Sequence, residues 1–165
     1  MKKKDEQSIS KGYFILLGDA NGADRAMQKY LTEKSYANVL VFCAGNNCRN
    51  NLGIWETRLV PVNRTYKDFQ YYAIRDEKMS DEADYGFMIW DGKSKGTLNN
   101  IINLLERKKL VLVYFYPKRK FFSLKSNNDL TELLSFCMKY DLEQLEKILK
   151  INQRTMRQQP QFILT

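Results

Sequence analysis

Tyr13-Phe14-Ile15-Leu16-Leu17, followed at once by Gly18-Asp19-Ala20-Asn21-Gly22-Ala23-Asp24, is the stretch whose reading decides the fold. A short continuous apolar run closed by glycine reads as a strand buried on both faces. From Ala23 to Lys34, Ala26, Met27, Tyr30 and Leu31 recur at helical steps. Strand, glycine turn and helix make the opening half of a βαβ unit. The same grammar returns at residues 85–90 (YGFMIW), the turn Asp91-Gly92-Lys93-Ser94-Lys95-Gly96-Thr97, and a helix striped by Leu98, Ile101, Ile102, Leu104 and Leu105.

Further strands are expected at residues 39–43 and 110–116, the latter stopped by Pro117, with a helix over 72–84. Residues 44–66, rich in glycine, asparagine and arginine, read as a long loop with a short helix near 54–58. Asp129 is expected to cap a helix reaching about Lys139, and Asp141 another carrying Leu142, Leu145, Ile148 and Leu149. Alternating strands and helices predict an α/β chain: a Rossmann-like three-layer sandwich with a mostly parallel sheet and a helical C-terminal extension. The expected boundaries are a flexible N-terminus over 1–12, one domain over 13–150 and a C-terminal tail over 151–165.

The bulk properties narrow the chemistry. The 165 residues contain no histidine, which removes Ser-His and Cys-His nucleophile pairs and His-ligated metal sites. No metal and no cofactor are expected. Any acid–base work falls to carboxylates, lysines or tyrosines. Cys43, Cys48 and Cys137 are read as buried thiols, since an odd, scattered set does not suggest a disulfide framework. No apolar run approaches the roughly 20 residues of a membrane span and no signal-like stretch follows the start, so a cytoplasmic chain without a membrane partner is expected. The net charge of +8 suits anionic partners without choosing among them.

Both glycine turns are candidate ligand sites, because ligands on parallel sheets bind beyond the carboxyl ends of strands. They are therefore expected to share one crevice. In the first, Gly18, Asp19, Gly22, Ala23 and Asp24 surround a helix start whose unpaired N–H groups outline an anion site. Its two carboxylates would repel a phosphate unless they meet a ribose hydroxyl, a base or a backbone N–H; Asp24 could equally stabilise the helix start. In the second, Asp91, Gly92, Lys93, Ser94, Gly96 and Thr97 combine free backbone, hydroxyls and positive charge. A P-loop reading fails on spacing, because Phe87 stands where the first glycine belongs, and the GxGxxG dinucleotide pattern is absent from both turns.

Arg49, in the loop after the second strand, could clamp a phosphate bidentately. Arg75 and Asp76 either reach the crevice or form a surface ion pair. Asp76 and Glu56 are the carboxylates expected to serve a hydrolytic role. Lys118-Arg119-Lys120, following the last expected strand, and Arg107-Lys108-Lys109, preceding it, divide the basic charge between two ends. A nucleic-acid groove would want one continuous stripe.

The segments GDANGADRAMQKYL and ADYGFMIWDGKSKGTLNNI resemble the SLOG superfamily, the Rossmann-like group that includes the Smf/DprA and LOG proteins, over roughly residues 13–116. Gly18, Gly22, Ala23 and Asp24 match its Gly-x-x-x-Gly-Ala-Asp element; Gly92, Gly96 and Thr97 match its later Gly-Thr turn. The resemblance implies a nucleotide or nucleotide-derived ligand, and the leading reading is a nucleotide-binding domain that serves as a sensor. The alternatives are an N-glycosidic hydrolase acting on nucleoside phosphates and DprA-like binding of single-stranded nucleic acid. A homo-oligomer is expected. Two departures stand out. The group's usual first strand, with its Gly-Ser/Thr-Arg turn, is missing before Tyr13. Asn99 and Asn100 stand where the LOG phosphoribohydrolases would carry a carboxylate.

Overall fold

The computed structural model describes residues 10–156. The expectations for 1–9 and 157–165 lie outside the described residues. The chain is α/β, and its strands form one parallel and one mixed sheet of three strands each. It divides into two compact units, Met1–Ala83 and Asp84–Thr165, where the sequence suggested one domain over 13–150.

In the first unit the order is β1 (Ile15–Leu17), α1 (Ala23–Glu33), β2 (Val39–Ala44), β3 (Glu56–Val60) and α2 (Phe69–Glu82). All strands are parallel in the order β1-β2-β3, with Ile15 beside Val39 and Leu40 beside Glu56. Every residue of β2 is buried, as its unbroken apolar sequence requires. Alternation sends Val39, Val41 and Cys43 toward Leu31, Met27 and Tyr30 of α1. Leu40 and Phe42, with Val60, pack against Ile74 and Met79 of α2. A helix on each face makes this unit three-layered by itself.

The second unit runs β4 (Tyr85–Trp90), α3 (Lys95–Glu106), β5 (Leu110–Phe115), a 3-10 turn (Tyr116–Lys118), β6 (Lys120–Leu124), α4 (Asn127–Leu134), α5 (Lys139–Leu149) and α6 (Ile151–Met156). β4 and β5 are parallel and β6 is antiparallel to β5. Trp90, Phe115, Phe122 and Phe136 form a chain of ring contacts, edge-to-face between Phe115 and Phe122 and tilted on either side. Among the described residues, no helix is long and apolar enough to cross a membrane.

Five local expectations are corrected. α5 begins at Lys139 after Met138, so Asp141 lies inside its first turn and does not cap it. Residues 56–60 are a strand, not part of a short helix. The Asn51 side chain hydrogen-bonds both the N–H and the carbonyl of Trp55, and Ile54 adopts a positive φ of 54°, so the chain turns there and enters β3 extended. The helix expected from residue 72 starts at Phe69, because the Asp68 carboxylate accepts the Tyr71 N–H at 2.9 Å. Ser126, not Asp129, caps α4: the two form a reciprocal capping box, and the helix ends at Leu134. β5 is not the last strand. Lys118, Arg119 and Lys120 turn the chain, with Arg119 left-handed at φ 49°, into the unforeseen β6.

The capping box makes a direct test of this local reading. Ser126→Ala is expected to cost about 1 kcal/mol of stability in urea unfolding.

Candidate functional site

The carboxyl edge of the first unit's sheet concentrates the buried charge. Asp19 lies two residues beyond β1 and is only 1% exposed. Its Oδ2 accepts the Arg49 backbone N–H at 2.9 Å, and its Oδ1 accepts Arg49 Nη2 at 2.7 Å and Nε at 3.2 Å. Arg75, reaching from α2, also donates Nη1 to Asp19 Oδ1. The same guanidinium donates Nε to Asp76 at 2.8 Å, and Nη2 to the same oxygen. Asp24 Oδ2 stands 4.0 Å from Arg75 Nη2. Three carboxylates therefore face two guanidiniums.

That imbalance shows in the ionisation. Burial would raise the Asp19 pKa, but the hydrogen bonds from Arg49 and the charges of Arg75 and Arg49 hold it below its ordinary value. Asp76 goes the other way. Burial, outweighing the attraction of Arg75 and reinforced by the negative charge of Asp24, pushes it up to about 6. For Arg75, burial is overcome by Asp76, Asp24 and Asp19, which raise its pKa further.

The glycine turn is tailored to this cluster. A Cβ on Gly18 would lie 2.3 Å from Asp24 Oδ2 and 3.0 Å from the Arg75 guanidinium. Gly22, by contrast, faces open space, so packing does not explain it. The anion outline expected here is filled from within, since Asp24 Oδ2 accepts the Ala20 N–H at 3.1 Å. Of the alternatives the sequence left open, the backbone contact and helix start describe Asp24.

Arg49 is held from several sides. Its guanidinium lies 3.9 Å from the centre of the Tyr72 ring, while about a third of the side chain remains exposed. The loop carrying it is bolted to the first turn: Gln28 donates to Gly18 O and Asn50 O and accepts from Leu52 N, and Asn50 donates to Asp19 O and Asn21 Oδ1. Cys43 and Cys48 close the same loop as a disulfide with a Cα separation of 5.0 Å, which corrects the free-thiol expectation for this pair. The chain doubles back after β2 and brings Cys48 over the strand end. Cys137 is a free thiol, raised to about 11 by burial and by Asp141 and Asp91.

Glu56 is not brought to this site. It is exposed at the amino end of β3, opposite the strand ends that carry Asp19 and Arg49. The second glycine turn belongs to the other unit. There Asp91 Oδ1 accepts the N–H groups of Lys93 at 2.9 Å and Ser94 at 2.7 Å, occupying donors a phosphate would want. Gly92 needs its φ of 82°, Lys93 pairs with Asp141 at 3.6 Å, Thr97 donates to the Ser94 hydroxyl, and Gly96 faces open space. Asn99 and Asn103 are buried on α3, and their amide oxygens accept from Arg154 of α6 at 2.9 and 2.6 Å.

Sequence reasoning missed Gln28 and Tyr72. Gln28 carried a signal, a polar residue three positions before Leu31 on the buried face of α1. Tyr72 carried none, because its role exists only once Arg49 is placed. Among the described residues, no group of three acidic or cysteine side chains is positioned to hold a metal ion. The chain matches no family model, no curated protein and no solved structure.

Two measurements check this site. Thiol titration in denaturant is expected to find one reactive cysteine without reductant and three after reduction. Because the folded chain keeps the Asp76 proton up to about pH 6 while the unfolded chain loses it near 3.8, folding takes up a proton between these values. Stability contributed by Asp76 is therefore greatest below pH 3.8 and lost as pH rises through 6. Urea unfolding from pH 4 to 7 should show wild type losing stability relative to Asp76→Asn across that interval.

Proposed function

We propose that the chain binds a phosphorylated nucleotide or nucleotide-derived ligand at the carboxyl edge of the first unit's sheet, as a cytoplasmic sensor. The observation that carries this reading is Arg49. Its guanidinium is fixed by Asp19 and laid on Tyr72, yet it keeps a solvent-facing side at the place where parallel sheets receive ligands. A cation ordered in advance loses little freedom when an anion arrives. Buried ionic clusters are poor stabilisers compared with apolar packing, so a constellation of Asp19, Arg75 and Asp76 at strand ends is better explained by function than by stability. Gly22 leaves the turn open to an approaching ligand, and Asp24, with a quarter of its side chain exposed, offers an acceptor for a sugar hydroxyl. The resemblance of the GDANGAD segment to SLOG proteins supports the same ligand class. The Cys43–Cys48 bond is one local closure and not a multi-bridge framework of the secreted kind, so it leaves the cytoplasmic proposal standing.

One observation favours a second reading, N-glycosidic hydrolysis. Asp76, poised at about 6 and buried, has the ionisation of a general acid. It is also enclosed by Arg75, which is why binding leads.

Thermal unfolding with a panel of nucleoside mono-, di- and triphosphates tests both. At least one nucleotide is expected to raise the midpoint, and Arg49→Ala to lose that shift by tenfold or more in apparent affinity. No shift with any member would overturn the binding reading. Free base released from a nucleoside phosphate, and lost in Asp76→Asn, would move the assignment to the hydrolase.

A further inference from the structure

A hollow of about 450 Å³ opens at the carboxyl ends of β2 and β3, lined by Gly45, Asn46, residues 61–65, Lys67 and Tyr71. No carboxylate lines it. Two hydrogen bonds brace its floor: Gly45 N–H donates to Val60 O at 2.8 Å, and Tyr71 Oη donates to Ala44 O at 3.3 Å. Gly45 holds a φ of 76°, and a Cβ there would sit 2.0 Å from Tyr71 Oη. Only glycine keeps this backbone and this space. Pro61 ends β3 and stiffens the wall.

The lining carries ligand-seeking groups that the fold does not consume. Lys67 has no ion pair among the described residues, and the side chains of Asn46, Asn63 and Thr65 have no hydrogen-bond partner there. Arg64 is engaged only by exposed Asp68, at 3.3 Å. Tyr71 stands in the first turn of α2, where the Asp68 carboxylate already accepts its N–H. The two glycine turns have backbone donors taken by Asp24 and Asp91; here Asp68 takes the Tyr71 N–H and pairs with Arg64, while Lys67, the amides of Asn46 and Asn63 and the Thr65 hydroxyl stay open.

We propose that this hollow is a phosphate subsite, in which Lys67 and Arg64 neutralise a phosphoryl or pyrophosphoryl group while Asn46, Asn63 and Thr65 hydrogen-bond its oxygens. Resting on the nucleotide reading above, the subsite deepens it. Asp19, Gly45 and Pro61 follow successive strands of one sheet, so a ligand lying along that edge meets Arg49 with one anionic group and the hollow with another.

The test is titration of the full chain with inorganic pyrophosphate, an unphosphorylated nucleoside panel and the corresponding nucleoside diphosphates, followed by calorimetry and amide NMR. Pyrophosphate is expected to bind and to move the amide signals of Gly45, Asn46, Asn63 and Thr65. The exposed pair Arg64→Ser with Lys67→Ser should weaken pyrophosphate at least tenfold with an unchanged circular dichroism spectrum, whereas Lys29→Ser, at an exposed position of α1, should leave it within twofold. Absence of pyrophosphate binding, or binding that survives the double variant, overturns the subsite. Nucleotide binding that needs Arg49 but not Lys67 overturns the subsite while the nucleotide reading stands. Pyrophosphate binding that needs Lys67, with no diphosphate binding more tightly than pyrophosphate, keeps the subsite and removes the nucleotide reading.

Discussion

The carboxylate of Asp19 is the constraint around which the first unit is arranged. It belongs to the turn after β1, yet it accepts from Arg49 in the loop after β2 and from Arg75 on α2. Three segments distant in sequence are thereby fixed to one oxygen pair. Burying that charge is tolerable only with both partners present, since an unpaired carboxylate in the same place would be costly. Gly18 gives the space, and Gln28 seals the turn to the loop. Position, charge and backbone shape each depend on the others.

The second unit manages polarity differently. Arg154 gathers the side chains of Asn99, Asn103 and Glu106 along α3, so α6 is held to α3 by a guanidinium and not by apolar packing alone. The aromatic chain from Trp90 to Phe136 fills the rest. Asn99 and Asn103 thus have a structural role of their own as acceptors of Arg154.

The strands β1, β2, β4 and β5 were legible because each is a short apolar run closed by turn residues, and α1 and α3 because their stripes keep helical spacing. β3 and β6 were not. Glu56-Thr57-Arg58-Leu59-Val60 is exposed along most of its length, so it carries neither alternation nor an apolar run. Lys120-Phe121-Phe122-Ser123-Leu124 follows Pro117 and a basic turn, where the last expected strand had already ended. Within the site, Arg75 and Asp76, on a weakly apolar helix, stand by sequence between the crevice and a surface ion pair, while Gly18, Asp19, Asp24 and Arg49 came from reading glycine turns and charges at strand ends. The hollow did not, because Asn46 and Lys67 are ordinary surface residues until the chain folds them around Gly45. The disulfide was hidden for a related reason: five positions along the chain say nothing of a loop that reverses direction.

Asp24 and Asp91 sit in their own turns as built-in counterparts to the backbone donors. Each turn thereby completes its hydrogen bonding from its own sequence, and the chain reaches its final shape without waiting for a guest. Substitutions elsewhere on those loops can then accumulate over generations without putting either turn at risk.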